Sequence, residues 1–416
     1  VGFAEYDINP KLLFEYEDIK GEAHGRQVRN INPYLVDSQN IVVKSQRSPI
    51  CKAPQMIKGN EATDGGFLIL DDEEKKELLL KDPVAERWIR PFLGGDNFLN
   101  NGNRWCLWLL GITPRELQNM PTVIKRIESV KRFRESSSKA ATVSKSKAAS
   151  LFGEIRQPEK GLLIVIPKVS SERRMYAPLG FIDCKVILNN TLQFIPNGTL
   201  YDFGIIQSMM HMAWLRTVAG RMKSDYQYSI KIVYNNFPWP ENPSEKQKQD
   251  IEAAAQFVLD TRAKFPESSL ADLYDPLTMP QILLKAHNRL DKAVDFAYGK
   301  KDFKTESDRV SFLFEQYQKR ISIMENTQAK INEAKFFINL LSQLEKKGKP
   351  FVTKTLLEDE ASYLLSAILN AFYSATEMAG GKNNIDIKKF RDDHSLFYDH
   401  SSNGGLRNTT VHLLHK

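Results

Sequence analysis

The chain has 416 residues, of which 42% are hydrophobic and 26% charged, and its formal net charge is +7. This length suits roughly two to four domains, each with a core of its own. No apolar run approaches the ~20 residues of a membrane span, and no secretory signal opens the chain, so a cytoplasmic protein is expected. The first residue is Val rather than Met, which indicates a piece of something longer. The three cysteines, Cys51, Cys106 and Cys184, are widely spaced core candidates, so neither a disulfide framework nor a metal site is expected.

Residues 1–200 read as a mixed domain of short strands and helices. Strands are predicted at four β-branched runs bounded by turn residues, "NIVVKS", "GFLIL", "GLLIVIP" and "CKVIL". Two segments have helical spacing, "DEEKKELLL" and "PTVIKRIESVKRFRESS". Alternation of this kind is typical of an α+β domain.

From about Tyr201 the pattern becomes helical. The apolar-periodic "FGIIQSMMHMAWLRTVAGRM" leads into a strand-like "YSIKIVYNNFPWP". Two helix starts are predicted by a Ser or Thr followed three residues later by Gln or Asp, at Ser244 and at Thr305. After Ile323 the chain changes to two or three long helices with a Gly-rich break at Gly404-Gly405, so we predict a boundary near Met324. The expected architecture is a domain over 1–200, a helical domain over 201–323 and a helical bundle over 324–416.

The segment "INPYLVDS" contains Asn32-Pro33-Tyr34, one proline short of the Asn-Pro-Pro-Tyr of DNA amino-methyltransferases. An S-adenosylmethionine site also needs a Gly-rich turn between a strand and a helix. "FLGGDNFLNNG" has the glycines, but we predict no strand and helix around them. The interpretation is a structural turn at "INPYLVDS" and no cofactor in this chain.

The polar stretch "PKVSSERRMY" directly follows the strand "GLLIVIP". A strand would present it as a loop, in which Arg suits guanine, Glu suits cytosine and Ser or Lys suits phosphate. From spacing alone, a solvated charged turn is the favoured alternative. The candidate DNA-binding residues are Lys168, Ser170, Ser171, Glu172, Arg173, Arg174 and Tyr176.

A second basic stretch runs from Lys125 to Lys147, and Lys131, Arg134 and Lys139 within it are candidates for phosphate contact. A solvated helix face is an equally good interpretation. His211 and His287 stand singly in helical patterns and are interpreted as core or surface residues. In "YNNFPWP", Phe237 and Trp239 between prolines predict a stiff structural clasp.

Five strings occur in an order that resembles MmeI-like restriction-modification enzymes: "INPYLVDS", "PQMIKGNEATDGGFLIL", "RWIRPFLGGDNFLNNGNRWCLWL", "IPKVSSERRMYAPLGFI" and "HMAWLRTVAGRMKSDYQYSIKIVYNNFPWP". The resemblance runs from roughly residue 25 to 320. It implies a DNA target recognition domain over 1–200 and a helical C-terminal domain over 201–320. It also implies double-stranded DNA as the partner and favours the DNA-binding interpretation of "PKVSSERRMY".

In that family a nuclease and a DNA (adenine-N6) methyltransferase domain precede the recognition domain in one chain. The resemblance therefore implies that both domains are expected upstream, and that S-adenosylmethionine belongs to the full-length enzyme rather than to this chain. The preferred function is a binding module, the sequence-reading portion of such an enzyme.

The tail offers an alternative of another class. Arg407-Asn408-Thr409-Thr410-Val411-His412 resembles the R-x-x-x-x-H signature of HEPN domains, helical bundles found as metal-free ribonucleases in phage defence systems. Arg would stabilise phosphate charge while His shuttles a proton, so Arg407, Asn408 and His412 are the catalytic candidates. A homodimer through this bundle is the associated expectation. Mutation of Arg407 and His412 with an RNA cleavage assay separates the two functions.

Overall fold

The computed structural model describes residues 9–16, 21–299 and 303–346. Helices and short strands alternate through this part of the chain, so the expected α+β class is confirmed. The strands are β1 (Lys11–Glu15), β2 (His24–Val28), β3 (Ile57–Lys58), β4 (Ile69–Leu70), β5 (Ile89–Leu93), β6 (Trp105–Leu107), β7 (Leu162–Pro167), β8 (Val169–Ser170), β9 (Gly180–Asp183), β10 (Ile187–Leu188), β11 (Leu192–Pro196), β12 (Gly220–Met222) and β13 (Asp225–Gln227). The α-helices are α1 (Asp72–Lys81), α2 (Gly95–Asn100), α3 (Pro114–Gln118), α4 (Pro121–Glu135), α5 (Ala140–Ser144), α6 (Leu200–Ile206), α7 (Met209–Val218), α8 (Glu245–Arg262), α9 (Leu270–Leu273), α10 (Gln281–Ala297) and α11 (Glu306–Lys346).

The strand β7 lies at the centre of a four-stranded antiparallel sheet of order β3-β11-β7-β9. Its residues Leu163–Ile166 are buried on both faces, as a continuous apolar run predicts. A second four-stranded sheet has the order β10-β5-β6-β4, and a three-stranded sheet has the order β12-β13-β8. Because β8 follows β7 after only Lys168, the three-stranded sheet continues directly from the buried strand.

Local capping and apolar spacing explain the predicted helices of the first half. Asp71 and Glu74 form a capping box at the start of α1. Helix α4 has Pro121 in its first turn and buries Val123 and Val130, which is the position and spacing that such a helix favours. The predicted helices "DEEKKELLL" and "PTVIKRIESVKRFRESS" are therefore confirmed.

The predicted apolar segment 203–222 is two helices and a strand rather than one helix. Ser208 separates α6 from α7, because its hydroxyl accepts the backbone N–H of His211 at 3.3 Å and caps α7. Helix α7 ends at Val218, and β12 begins at Gly220. The start predicted at Ser244 is confirmed, since Ser244 and Gln247 cap α8 reciprocally. A Cβ at Gly204 would lie 2.6 Å from Cγ2 of Ile251, so the close packing of α6 on α8 requires glycine there.

Two of the predicted strands are wrong. "NIVVKS" has no regular structure, and "YSIKIVY" contains the π-helical turn Ile230–Tyr234. The side-chain amide of Asn236 donates to the carbonyls of Lys44, Lys231 and Ile232 at 2.9–3.1 Å. These bonds occupy backbone groups that a strand ladder would use, so tertiary contacts override β propensity.

The segment "YNNFPWP" is the predicted structural clasp. Phe237 and Trp239 are 1% and 3% exposed. Just before them, the hydroxyl of Tyr234 donates to the carbonyl of Pro54 at 2.6 Å, and the amide of Asn235 donates to that of Gln46 at 2.9 Å. The clasp therefore ties residues 44–54 to the start of the helical part.

"INPYLVDS" forms a tight turn, as predicted. The Oδ1 atom of Asn32 accepts the backbone N–H groups of Tyr34 and Val36 at 2.9 and 3.1 Å. Leu35 has a φ of 59°, and the hydroxyl of Tyr34 accepts the N–H of Val43 at 2.9 Å. The side chains of Asn32 and Tyr34 thus accept hydrogen bonds from backbone N–H groups. This structural role accounts for both residues without a catalytic one.

The prediction about "FLGGDNFLNNG" is corrected, because β5 precedes these glycines and the short helix α2 follows them. The expected absence of flanking elements was therefore wrong. The backbone N–H of Gly95 donates to the hydroxyl of Thr191 at 2.9 Å. Thr191 therefore packs against both glycines of this turn.

The long helix α11 begins at the predicted cap, where Thr305 and Asp308 bond reciprocally at 3.0 and 3.1 Å. It contains neither Gly nor Pro and runs through Met324, so the boundary predicted near that residue falls within a helix. By their contacts, the described residues divide into two units between Gln318 and Lys319. The boundaries at 200 and 323 stay predictions. Of the predicted bundle over 324–416, the structure describes only the residues up to Lys346. Arg407, Asn408, His412 and the expected homodimer contact lie outside the described residues.

Candidate nucleic-acid interface

The predicted polar loop begins where two sheets meet. After β7, the N–H of Lys168 donates to the carbonyl of Thr191 at 2.9 Å, and its carbonyl accepts the N–H of Tyr228 at 2.8 Å. Strand β8 then pairs antiparallel with β13, with Ser170 opposite Tyr226. A turn follows, closed by the N–H of Arg174 on the carbonyl of Ser171 at 3.2 Å. The loop from Ser171 to Met175 therefore starts from a rigid sheet, as expected.

Charged side chains of this loop face solvent. Glu172 and Arg173 are exposed, whereas Lys168, Ser171 and Arg174 are half-buried. The guanidinium of Arg173 pairs with Asp275 at 2.7 Å while 62% of its side chain stays exposed. Burial lowers the pKa of Arg174 from its ordinary value. These groups remain in reach of a ligand.

Two residues of the predicted set lie inside the molecule. Tyr176 is 1% exposed, and its hydroxyl donates to Oδ2 of Asp291 at 2.6 Å. Ser170 is 8% exposed in β8. The prediction that Tyr176 and Ser170 reach DNA is therefore corrected, because their side chains face the core of the fold.

A β-hairpin that was not predicted from the sequence lies beside the loop. Strands β12 and β13 pair with Met222 opposite Asp225, which leaves Lys223 and Ser224 as the two-residue turn. Lys223 has a φ of 56°, a left-handed conformation suited to such turns. All of β12 and both turn residues are exposed. The signal that could have revealed the hairpin was Gly220, which interrupts the helical pattern.

Arg221 connects the hairpin to the loop. Its guanidinium lies over the ring of Tyr226, 4.0 Å from the ring centre, and its Nη1 is 3.4 Å from Oε2 of Glu172. The same nitrogen donates to the carbonyl of Ser224 at 2.8 Å. The loop and the hairpin thus form one exposed surface, which we call the reading surface: Glu172, Arg173, Arg174, Arg221, Lys223 and Ser224.

The basic stretch from Lys125 to Lys147 contains exposed and paired cations. Lys131 and Lys139 are exposed, and Nζ of Lys131 lies 3.9 Å from Glu135 on the next turn of α4. Arg126 pairs with Glu74 at 2.8 Å, and Lys145 with Glu154 at 3.4 Å. Of its eight Lys and Arg residues, five have no carboxylate within 4.0 Å in the described part of the chain: Lys125, Arg132, Arg134, Lys139 and Lys147.

Arg134 is the clear exception, because it is fully buried. Its three nitrogens donate to five backbone carbonyls at 2.7–3.0 Å, those of Ala62, Thr63, Lys145, Ala148 and Leu151. The predicted phosphate contact at Arg134 is corrected. The sequence spacing already indicates burial of Arg134. Val123, Ile127, Val130 and Arg134 lie four, three and four residues apart, on the face of α4 that packs against the core.

In residues 9–16, 21–299 and 303–346, no three His, Cys, Asp or Glu side chains are grouped as a metal ion would need. Over the same ranges, no helix has both the length and the apolarity that crossing a membrane requires.

Comparison with known proteins identifies the family to which this chain is similar. Residues 37–241 match the family described as "MmeI, target recognition domain", and residues 243–325 match "MmeI, C-terminal domain". The chain is 36% identical over 318 residues to "DNA methyltransferase A" of Bacillus subtilis (strain 168), covering 76% of this chain and 35% of that protein.

A solved structure gives the same assignment. It is titled "Structure of Type IIL restriction-modification enzyme MmeI in complex with DNA has implications for engineering of new specificities", and it superposes with a TM-score of 0.71 at 45% identity. The superposition covers 76% of this chain and 42% of that one, so the chain spans less than half the length of both relatives. The reading surface lies within the matched recognition domain, between residues 172 and 224. The chain belongs to the MmeI family and carries its target recognition and C-terminal domains.

Proposed function

We propose that this chain recognises a specific sequence in double-stranded DNA through the reading surface. The observation that carries the proposal is the union of a charged loop and an exposed β-hairpin through the β8–β13 ladder and the Arg221–Glu172 contact. A two-stranded β-ribbon fits the major groove of B-DNA, where base edges are distinguishable. The matched recognition domain and the DNA complex of the MmeI structure support this partner.

The chemistry of the surface suits direct readout. Arg173 and Arg221 can donate two hydrogen bonds to guanine, and Glu172 can accept from cytosine N4. The pairs that hold these side chains in the free protein are exposed, at 62% for Arg173 and 41% for Arg221. Because exposed ion pairs contribute little free energy, exchanging them for a base costs little. The loop and hairpin are thus ordered in advance and remain available.

The basic stretch supplies the second component of binding. Lys131 and Lys139 are exposed on long flexible side chains, which suits contact with phosphates rather than bases. Such contacts add affinity by releasing counterions and carry no sequence information directly. We assign Lys131 and Lys139 to this role and the reading surface to specificity.

These two roles predict two kinds of mutant. Arg173→Ala or Arg174→Ala should weaken binding to the preferred duplex by ~1–3 kcal/mol and relax the preference at one base position. Lys223→Ala should relax a different position, because the hairpin tip is a separate element. Lys131→Ala and Lys139→Ala should weaken all duplexes alike and reduce the salt slope by about one unit each. Selection from a random duplex library, followed by salt titrations, measures both effects.

Lys246→Ala on α8 is the matched control, since it removes an equal charge at a site remote in sequence from both surfaces. It should change neither preference nor salt slope. The assignment is wrong if the Arg173 and Arg174 variants keep full sequence preference while a residue elsewhere controls it. It is equally wrong if Lys131→Ala alters the preferred sequence.

Methyl transfer and DNA cleavage are proposed to reside in parts of the full-length enzyme beyond this chain, because both matched domains are the recognition and C-terminal ones. S-adenosylmethionine should then show no heat of binding to this chain in a calorimetric titration. The turn at Gly94-Gly95 supports this expectation, since Thr191 already lies against it. A micromolar dissociation constant would contradict the proposal.

A further inference from the structure

A polar network joins the end of the reading loop to the helical part of the chain. The Nη2 atom of Arg216, on α7, donates to the carbonyl of Met175 at 2.9 Å. The hydroxyl of Tyr176 donates to Asp291, on α10, at 2.6 Å. One residue later, the carbonyl of Ala177 accepts the side-chain amide of Gln207 at 2.8 Å. Met175, the last residue of the loop, and the two residues after it are therefore bonded by side chains of the helical part, in which α10 belongs to the matched C-terminal domain.

Asp291 is the central group of this network. While Oδ2 accepts from Tyr176, its Oδ1 accepts the backbone N–H of Met209, the first residue of α7, at 2.6 Å. The ring of Tyr176 stacks on His287, one turn earlier on α10, with 4.0 Å between ring centres. Asp291 is 8% exposed. A buried carboxylate that lost one of these partners would be costly, so the network favours a single position of Tyr176.

Arg216 is itself fixed. Its Nη1 pairs with Glu306 at the start of α11, and the guanidinium also approaches the carbonyl of Arg174 at 3.5 Å. An arginine that is held at one nitrogen has little freedom in how it presents the other. The backbone at Arg174–Met175 is therefore bonded from the helical side.

The reading loop is thus anchored at both ends. Before it, Ser170 pairs with Tyr226 in the β8–β13 ladder; after it, Tyr176 is bonded to Asp291. Only Ser171 to Met175 lie between, and these include Glu172 and Arg173. Fixing both ends of a short loop limits its conformations before the ligand arrives, which lowers the entropy lost on binding.

We propose that Asp291 and Arg216 are positioning residues for DNA recognition, so that α10 of the C-terminal domain and α7 of the recognition domain together set the conformation in which the loop reads its site. The inference rests on the proposed function and adds to it. Neither residue touches DNA. Both act through the backbone and the tyrosine that follow Arg173 and Arg174.

The chain contains a matched control for Asp291. Asp295 lies one turn later on α10, is 5% exposed, and pairs with Arg309 of α11 at 2.5 Å rather than with the loop. Asp291→Asn and Asp295→Asn remove the same charge from the same helix at equal burial. Tyr176→Phe is the second variant, since it deletes the loop hydroxyl and keeps the ring on His287. Its control is Tyr298→Phe, whose hydroxyl donates to Pro238 at 2.9 Å.

The first measurement is the ratio of affinities for the preferred and a scrambled duplex. We expect Asp291→Asn and Tyr176→Phe to reduce that ratio about tenfold, the effect of losing one hydrogen bond to a charged group. Asp295→Asn and Tyr298→Phe should leave it within about twofold, even where they lower thermal stability as much. Arg216→Lys should restore part of the discrimination that Arg216→Ala loses, because it can still reach one carbonyl.

The second measurement needs no DNA. Amide hydrogen exchange of residues 171–176 should quicken about tenfold in Asp291→Asn and Tyr176→Phe, and stay unchanged in the controls. The inference is overturned if the loop amides or the affinity ratio respond equally to Asp291→Asn and Asp295→Asn, or to neither. If the wild type shows no sequence preference, the proposed function fails. The exchange rates then still decide whether Asp291 holds the loop.

Discussion

Replacing Arg134 by Met is expected to lower the free energy of unfolding by about 3–5 kcal/mol. The side chain is fully buried and donates to five backbone carbonyls. Met fills a similar volume but donates nothing, so five acceptors lose a charged donor in a place that water reaches poorly. The carbonyls belong to residues 62–63 and 145–151, and Arg134 therefore also joins two segments that are distant in the sequence. Urea unfolding measures the change.

Arg132→Met is the control, because Arg132 is exposed two residues earlier on the same helix. We expect a change of no more than about 0.5 kcal/mol there. Arg134→Lys should recover little, since one ammonium cannot span five carbonyls. A cost for Arg134→Met that is no larger than the cost for Arg132→Met would return Arg134 to the phosphate-binding set.

The second large effect concerns pH. His211 and His287 are fully buried, and each shares a hydrogen bond with a tyrosine hydroxyl, Tyr228 at 2.8 Å and Tyr274 at 2.9 Å. Burial lowers the pKa of His211 to about 3 and that of His287 well below its ordinary value. The sequence left open whether these histidines are core or surface residues. The structure shows that both are core residues, and that each has a hydrogen-bond partner.

Because both folded-state pKa values are depressed, the unfolded chain binds more protons below pH 6.5. Stability from these histidines is therefore present above pH ~6.5 and is lost as the pH falls, at about 2 kcal/mol for His211 by pH 5 and in the same direction for His287. Asp291 and Asp295 have the opposite sign, since burial raises the pKa of Asp291 to about 6 and that of Asp295 above its ordinary value; protonation of Asp291 offsets about 1 kcal/mol over the same range. We expect the net free energy of unfolding to be lower at pH 5 than at pH 7.5, by an amount on the order of 2 kcal/mol.

Urea titrations at pH 5 and 7.5 measure this difference. His211→Gln and His287→Gln retain a group that can bond the tyrosine but cannot titrate, so each should remove about half of the histidine contribution. His24→Gln is the control, because His24 is exposed on β2. A free energy of unfolding that is equal at both pH values, or a dependence that survives both substitutions, would refute the assignment.

What could be predicted from the sequence depended on short-range interactions. The caps at Ser244 and Thr305 join residues three apart, and the turn at Asn32 joins residues two and four apart. The strand β7 is recognisable as a continuous apolar run. The order of long strings in the chain also led to the MmeI family. Each of these signals lies within a few residues of the structure it specifies, or in the identity of the string itself.

The candidate site was predictable only in part. Of "PKVSSERRMY", residues 171–175 form a loop with Glu172 and Arg173 exposed, but Val169–Ser170 form the strand β8 between β7 and this loop. Nothing local distinguishes Tyr176, which is buried, from its exposed neighbour Met175. The difference comes from Asp291, which lies 115 residues further along the chain.

By itself, then, the sequence determined the fold class, the helix starts at Ser244 and Thr305, the central strand and the family. Only the tertiary structure decided that Arg134 is a core residue, that the hairpin of β12 and β13 lies beside the loop, and that Asp291 on α10 bonds the tyrosine that follows the loop. The physical reason is that burial and pairing of polar groups depend on which distant segments meet. From its position four residues after Val130, Arg134 could equally belong to a basic surface. It is buried because backbone carbonyls of residues 62–63 and 145–151 accept its hydrogen bonds.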